Sequence, residues 1–111
     1  MVTYSPLGVG FLTGRYTRKE AGRIDDWRAG EAGWTAPDRL DEIFRVVDGL
    51  RPIADRLGST MGQLALAWNV AQPGVTAAIA GSRSGDHVKE NASAGDVVVD
   101  DATLAEIEAL L

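Results

Sequence analysis

The chain has no cysteine and only one histidine, His87. The first absence excludes a disulfide framework, thiol catalysis and a Cys-based zinc site. The second excludes a multi-histidine metal centre built within one chain. Basic residues are also scarce, with 11 Lys+Arg against 16 Asp+Glu and a net charge of −5. A nucleic-acid binder needs a basic face to neutralise phosphates, so no nucleic-acid partner is expected. A local basic pocket for one phosphate group remains compatible with that balance. No apolar run approaches the length of about 18 residues that a membrane helix requires, and no signal-peptide pattern opens the chain. The expectation is therefore a soluble, cytoplasmic protein without a membrane partner.

What is present is ordinary globular composition. Of the 111 residues, 45% are hydrophobic and 24% charged, enough for one small domain. Val2-Thr3-Tyr4-Ser5 is β-prone and runs into Pro6-Leu7-Gly8, the signature of a strand entering a loop. From Gly8 to about Ala36 no period holds, and glycines and charges alternate. Typical connections are about 4–6 residues, and far longer ones are usually lids or disordered. The aromatics Phe11, Tyr16, Trp27 and Trp34 favour a lid that packs on something.

Helical spacing follows. Asp38 is placed to cap, and Leu40, Ile43, Val47, Leu50, Ala54 and Leu57 step by 3 and 4 along one face, widened by Phe44 and Ile53. Pro52 predicts a kink or split near Leu50-Arg51, and Gly58 a stop. Thr60-Met61-Gly62-Gln63 is a T-x-x-Q capping box opening a second helix, whose stripe is Leu64, Ala65, Trp68 and Ala71. Val75 to Ala80 is short and apolar, which predicts a parallel strand buried on both faces. Ser84 then caps a helix from Asp86 to about Ala94, and Val97-Val98-Val99 is extended. Asp100 or Asp101 caps a last helix with Leu104, Ile107 and Leu111 on one face. The order β–loop–α–α–β–α–α predicts parallel strands in an α/β fold. Two strands alone leave both edges unpaired, so they call for further strands from another copy or from a larger fold.

Several motifs have a local chemical reading. Gly81-Ser82-Arg83-Ser84 lies between a strand and a helix, where free amides and Arg83 can hold a phosphate, or where a polar turn can simply be solvated. Gly8-x-Gly10-x-x-x-Gly14 has neither Rossmann nor P-loop spacing. His87, taken by itself, reads as a surface residue. Asp25-Asp26 and Asp100-Asp101 read as a turn and a cap rather than cation ligands, and Trp68 reads as core.

Three separated stretches, Tyr4 to Tyr16, Thr60 to Trp68, and Gly81 to Asn91, resemble the C-terminal part of an aldo-keto reductase. They look like the seventh strand with its long cofactor loop, the helix before strand eight, and the adenosine-phosphate segment. The resemblance spans residues 1–111 and implies a partial (β/α)8 TIM barrel, roughly its last quarter, with the cofactor loop at about residues 8–36. It implies NADP (NADPH) as cofactor and a carbonyl substrate in the intact enzyme. Tyr4 then stacks on the nicotinamide, and Ser5, Pro6, Leu7 and Gly8 follow the pyrophosphate, with Arg15 folding over it. Gly81, Ser82 and Arg83 hold the 2′-phosphate, while His87, Glu90 and Asn91 lie by the adenine. The family's Tyr, Lys, Asp and His tetrad maps onto no residue of this chain. The isolated chain is therefore expected to be inactive and only marginally stable. The alternatives are a non-enzymatic quarter-barrel module that self-assembles, or completes a barrel with a partner, through the faces Leu40–Leu57 and Val75–Ala80, and a small NADP-binding regulator.

Overall fold

The computed structural model describes residues 1–30 and 33–111. Residues 31 and 32 of the expected long loop lie outside the described residues. Strand β1 (Val2–Tyr4) pairs in parallel with β2 (Ala77–Ile79), in the register Val2 to Ala77, Thr3 to Ala78 and Tyr4 to Ile79. The N-terminal amine donates to the Gly74 carbonyl at 2.8 Å, and Thr76 N–H donates to the Met1 carbonyl at 2.7 Å, extending the pairing. Among the described residues the α-helices are α1 (Arg18–Ala21), α2 (Pro37–Leu57), α3 (Met61–Ala71), α4 (Gly85–Ser93) and α5 (Asp101–Glu108).

The long helix α2 organises the rest. Its buried face is Leu40, Phe44, Val47, Leu50, Ile53 and Ala54, the expected 3/4 stripe with Ile43 and Leu57 half-buried at its margins. The C-terminal half joins Met61 and Leu64 of α3 and Ile107 of α5 in one core cluster, with Trp68 packed against it. The N-terminal half, through Leu40 and Phe44, joins Phe11 and Ala21 in a second cluster under the long loop. The α2 face is thus consumed within the chain, which removes it as the interface of a self-assembling module.

Three local expectations are corrected. Ala36 precedes the helix and Pro37 is its first residue, so Asp38 lies in the first turn instead of capping it. Proline at that position gives up an N–H that has no intrahelical partner anyway. Pro52 does not split α2. The carbonyl deprived of its donor belongs to Asp48, which is exposed, so water can satisfy it at low cost. In the last helix Thr103 and Ile107 are buried and Leu111 is 66% exposed, so Thr103 replaces Leu111 on the inner face.

The ends behave as their residues dictate. Gly58 closes α2 at φ +66°, a left-handed cap. Thr60 and Gln63 form the reciprocal capping box, and the Ser84 and Asp100 side chains accept from His87 N–H and Thr103 N–H. The long loop is less irregular than expected, with 3₁₀ turns at Gly8–Thr13 and Trp27–Ala29 flanking α1. A second capping box, Thr17 with Glu20, opens α1.

The expected burial of the second strand on both faces is not observed. In β2, Ala77 and Ile79 are exposed, with Ile79 at 61%. On β1, Val2 (54%) and Tyr4 (85%) share that outer face. The sheet among the described residues has two strands, so helices cover only one side of it and each strand keeps one free edge. Val97 is extended, but the segment 97–99 joins no sheet. The observed fold is a small mixed α/β domain.

Candidate functional site

Parallel pairing brings the carboxyl ends of β1 and β2 side by side, since Tyr4 stands opposite Ile79. The chain leaving β1 turns into the Gly8–Thr13 segment, and the chain leaving β2 turns into α4. Between these exits lies a cleft of about 470 Å³, floored by Gly62 of α3. That size is ordinary for a small-molecule site. Tyr4, Ser5, Pro6, Leu7, Arg15, Gly81, His87, Glu90 and Asn91 all line it. Gly8 does not. It lies beside a separate groove with Phe11 and Trp34. Ser82 and Arg83 follow Gly81 on an exposed turn and are not in the lining.

The cleft wall is conformationally unusual. Ser5 (φ +55°) and Val9 (φ +51°) are left-handed without being glycine, and Gly8 and Gly10 are left-handed too. A β-branched residue in that region carries strain of about 1–3 kcal/mol and persists only when its surroundings hold it. Arg28 does the holding. Its Nη1 donates to the Val9 carbonyl at 3.1 Å, and its guanidinium lies 5.8 Å from the Phe11 ring centre and 5.4 Å from that of Tyr16. The fork closes on Asp26 at 2.6 Å. The Asp26 hydrogen bond holds Arg28 further into its charged form, and Arg28 in turn pulls the Asp26 carboxyl below its usual value. On the other side, Asn69 of α3 donates to the carbonyl of buried Pro6 at 3.4 Å.

Two arginines stand ready for anions. Arg15 and Arg83 form no ion pair among the described residues. Arg15 Nη2 lies 2.6 Å from His87 Nε2. Arginine only donates, so Nε2 offers its lone pair and the ring proton sits on Nδ1. His87 is therefore half-buried and bonded, not the free surface residue expected from its position alone. The turn after Gly81 is tied by Ser82, whose hydroxyl accepts from Ser84 N–H at 3.2 Å and donates to the Ser84 carbonyl at 3.0 Å. Asp86 puts a negative charge in the first turn of α4, which offsets the positive end of the helix dipole there.

Glu90 is held from α3. Thr60 Oγ1 donates to Glu90 Oε1 at 3.0 Å, and Gln63 Nε2 donates to the Glu90 carbonyl at 3.1 Å. Sequence reasoning found the capping box and singled out Glu90, but missed that they touch, since no local pattern spans the gap between them. It also missed Thr13 and Gly62 in the lining, and the Thr17 capping box, whose T-x-x-E signal was present. Asp100 caps α5 as expected, whereas Asp26, expected in a solvated turn, caps the 3₁₀ turn Trp27–Ala29.

The sequence model described as "Aldo/keto reductase family" matches residues 1–111. A probable voltage-gated potassium channel subunit beta of Arabidopsis thaliana is 41% identical over 100 residues, covering 88% of this chain and 30% of that protein. Aldo-keto reductase yakc [NADP(+)] of Schizosaccharomyces pombe is 37% identical over 111 residues, covering 96% of this chain and 31% of its own length. Aldo-keto reductase str7 of Strobilurus tenacellus is 32% identical over 110 residues, covering 99% and 32%. The chain thus spans about a third of the length of the curated relatives it matches.

Proposed function

The chain belongs to the aldo/keto reductase family, and from that premise we propose that it is the NADP-binding portion of a carbonyl reductase. The supporting observation is the cleft itself, which gathers residues from the β1 exit, the long loop and the first turns of α4. The donor set suits a dinucleotide phosphate: a bare aromatic face at Tyr4, the Arg15 guanidinium, and the unpaired Arg83 beside Ser82. When bound, the nicotinamide supplies the hydride for carbonyl reduction. Tyr4 orients the ring by stacking, and the Ser5–Leu7 backbone follows the pyrophosphate under Arg15. Arg83 and Ser82 take the 2′-phosphate. Glu90 and Asn91 meet the adenine, with His87 alongside. The proposed setting is a (β/α)8 barrel in the cytoplasm, of which β1 and β2 are neighbouring strands.

By itself the chain does not reduce carbonyls in this proposal. A proton donor must sit within hydrogen-bond reach of the carbonyl oxygen whose carbon takes the hydride, and the family's tyrosine acid works with a lysine. The two lysines here, Lys19 and Lys89, both lie outside the cleft that Tyr4 lines. NADPH fluorescence, titrated with the purified chain, tests the reading. The emission should change saturably, NADP should compete better than NAD, and R83A should narrow that preference. Unchanged emission refutes it.

A second reading has one observation in its favour. Val2, Tyr4 and Ile79 expose an apolar sheet face next to two free strand edges. A module that self-associates there would sediment as concentration-dependent oligomers, and a monomer at all concentrations would exclude it.

A further inference from the structure

We propose that Thr60 is a positioning residue for Glu90, so that a helix cap also sets which nucleobase the cleft accepts. The inference rests on the reading of the cleft as an adenine-nucleotide site. Four hydrogen bonds carry it. Gln63 N–H donates to Thr60 Oγ1 at 3.1 Å, and Thr60 N–H donates to Gln63 Oε1 at 3.0 Å, which is the capping box. Thr60 Oγ1 donates to Glu90 Oε1 at 3.0 Å, and Gln63 Nε2 donates to the Glu90 carbonyl at 3.1 Å.

A hydroxyl has one proton and two lone pairs. The Gln63 N–H occupies a lone pair, so the single Thr60 proton is free for Glu90. Oε1 is thereby fixed as an acceptor, and the carboxylate loses rotation about its last bond. Gln63 fixes the backbone of the same residue. The other carboxylate oxygen is left to accept from a bound group, and Glu90 lines the cleft with Asn91. A locked acceptor favours an amino group over a carbonyl oxygen at the matching place on a base, because two acceptors facing each other repel. A freely turning carboxylate discriminates less.

The test compares binding of NADP and of its deaminated analogue, in which the 6-amino group of the base is replaced by a carbonyl oxygen. Binding is followed by NMR shift titration of the chain, so weak affinities remain measurable. T60S keeps both the cap and the hydroxyl donor. T60D keeps the cap, since Asp is a good N-cap, but an ionised carboxylate cannot donate to Glu90. T60S should melt close to the parent chain, and T60D somewhat lower, because its carboxylate faces that of Glu90. T60S should keep the preference for the amino base, and T60D should lose about three- to tenfold of it, the range for one ordinary hydrogen bond, since Glu90 stays an acceptor and loses only its fixed orientation. A T60D chain that binds NADP with unchanged preference overturns the role of Thr60 alone. A parent chain that binds neither dinucleotide overturns the cleft reading, and this inference with it.

Discussion

Replacing Arg28 with methionine removes the group that holds the strained cleft wall while keeping most of its aliphatic bulk. Arg28 is 13% exposed and makes three kinds of contact. The charged donation to the Val9 carbonyl belongs to a class contributing about 1.5–3 kcal/mol when partly buried. The two ring-face contacts contribute about 0.5–1 kcal/mol each. The Asp26 carboxylate is solvated, so its pair is assigned no energy. Water can reach the Val9 carbonyl once the guanidinium has gone, which lowers the net loss to about 2–3 kcal/mol. At roughly 4 °C per kcal/mol for a domain of this size, R28M should melt about 8–12 °C below the parent chain. Amide exchange in residues 8–16 should accelerate most, because Val9 is then free to leave its left-handed conformation. D26N is the control: it leaves the Val9 bond in place and should cost far less. A shift in R28M below about 2 °C, with unchanged exchange in residues 8–16, would refute the idea that Arg28 holds this wall.

Other expectations follow from single contacts. L64A empties a fully enclosed position of the main core and should cost about 2–4 kcal/mol by urea unfolding. G58A leaves the cap space open but forces alanine to φ +66°, and should cost about 1 kcal/mol in the same assay. Hydrogen bonds from Thr103 hold the Asp100 carboxyl below its ordinary value. Its stabilisation is therefore present above the usual carboxylate range and fades as pH falls through the lowered value. Melting temperature against pH should show that acid loss, and D100N, which caps at every pH, should flatten it.

Features carried by neighbouring residues were legible in the sequence. The 3/4 stripe of α2, the Gly58 stop, the Thr60 box and the Ser84 and Asp100 caps each depend on spacings of a few residues. Pro52 misled because periodicity alone does not reveal that the lost acceptor, on Asp48, faces water. The segment Val75–Ala80 misled in another way: its apolar pattern states a preference for burial, while actual burial depends on what lies alongside. The turns inside residues 8–36 are shorter than any window in which a period can be counted. The cleft residues were legible only through the resemblance, which fixes order along the chain but not contact. The Arg15–His87 and Thr60–Glu90 links join positions far apart in sequence, and no local pattern records them.

The pairing of β1 with β2 also sets the order of events during synthesis. The bond from the N-terminus to Gly74 spans 73 residues, and the strand register follows from it. At the usual pace of about 5–20 residues per second, β1 waits roughly 4–15 s on the ribosome before its partner exists. Local contacts form far sooner than distant ones, so α2 and α3 can dock while β1 still lacks β2. For that interval Val2 and Tyr4 lack the neighbour they meet in the finished fold. A chaperone that recognises extended apolar segments has its opportunity then, before Ala77–Ile79 emerges.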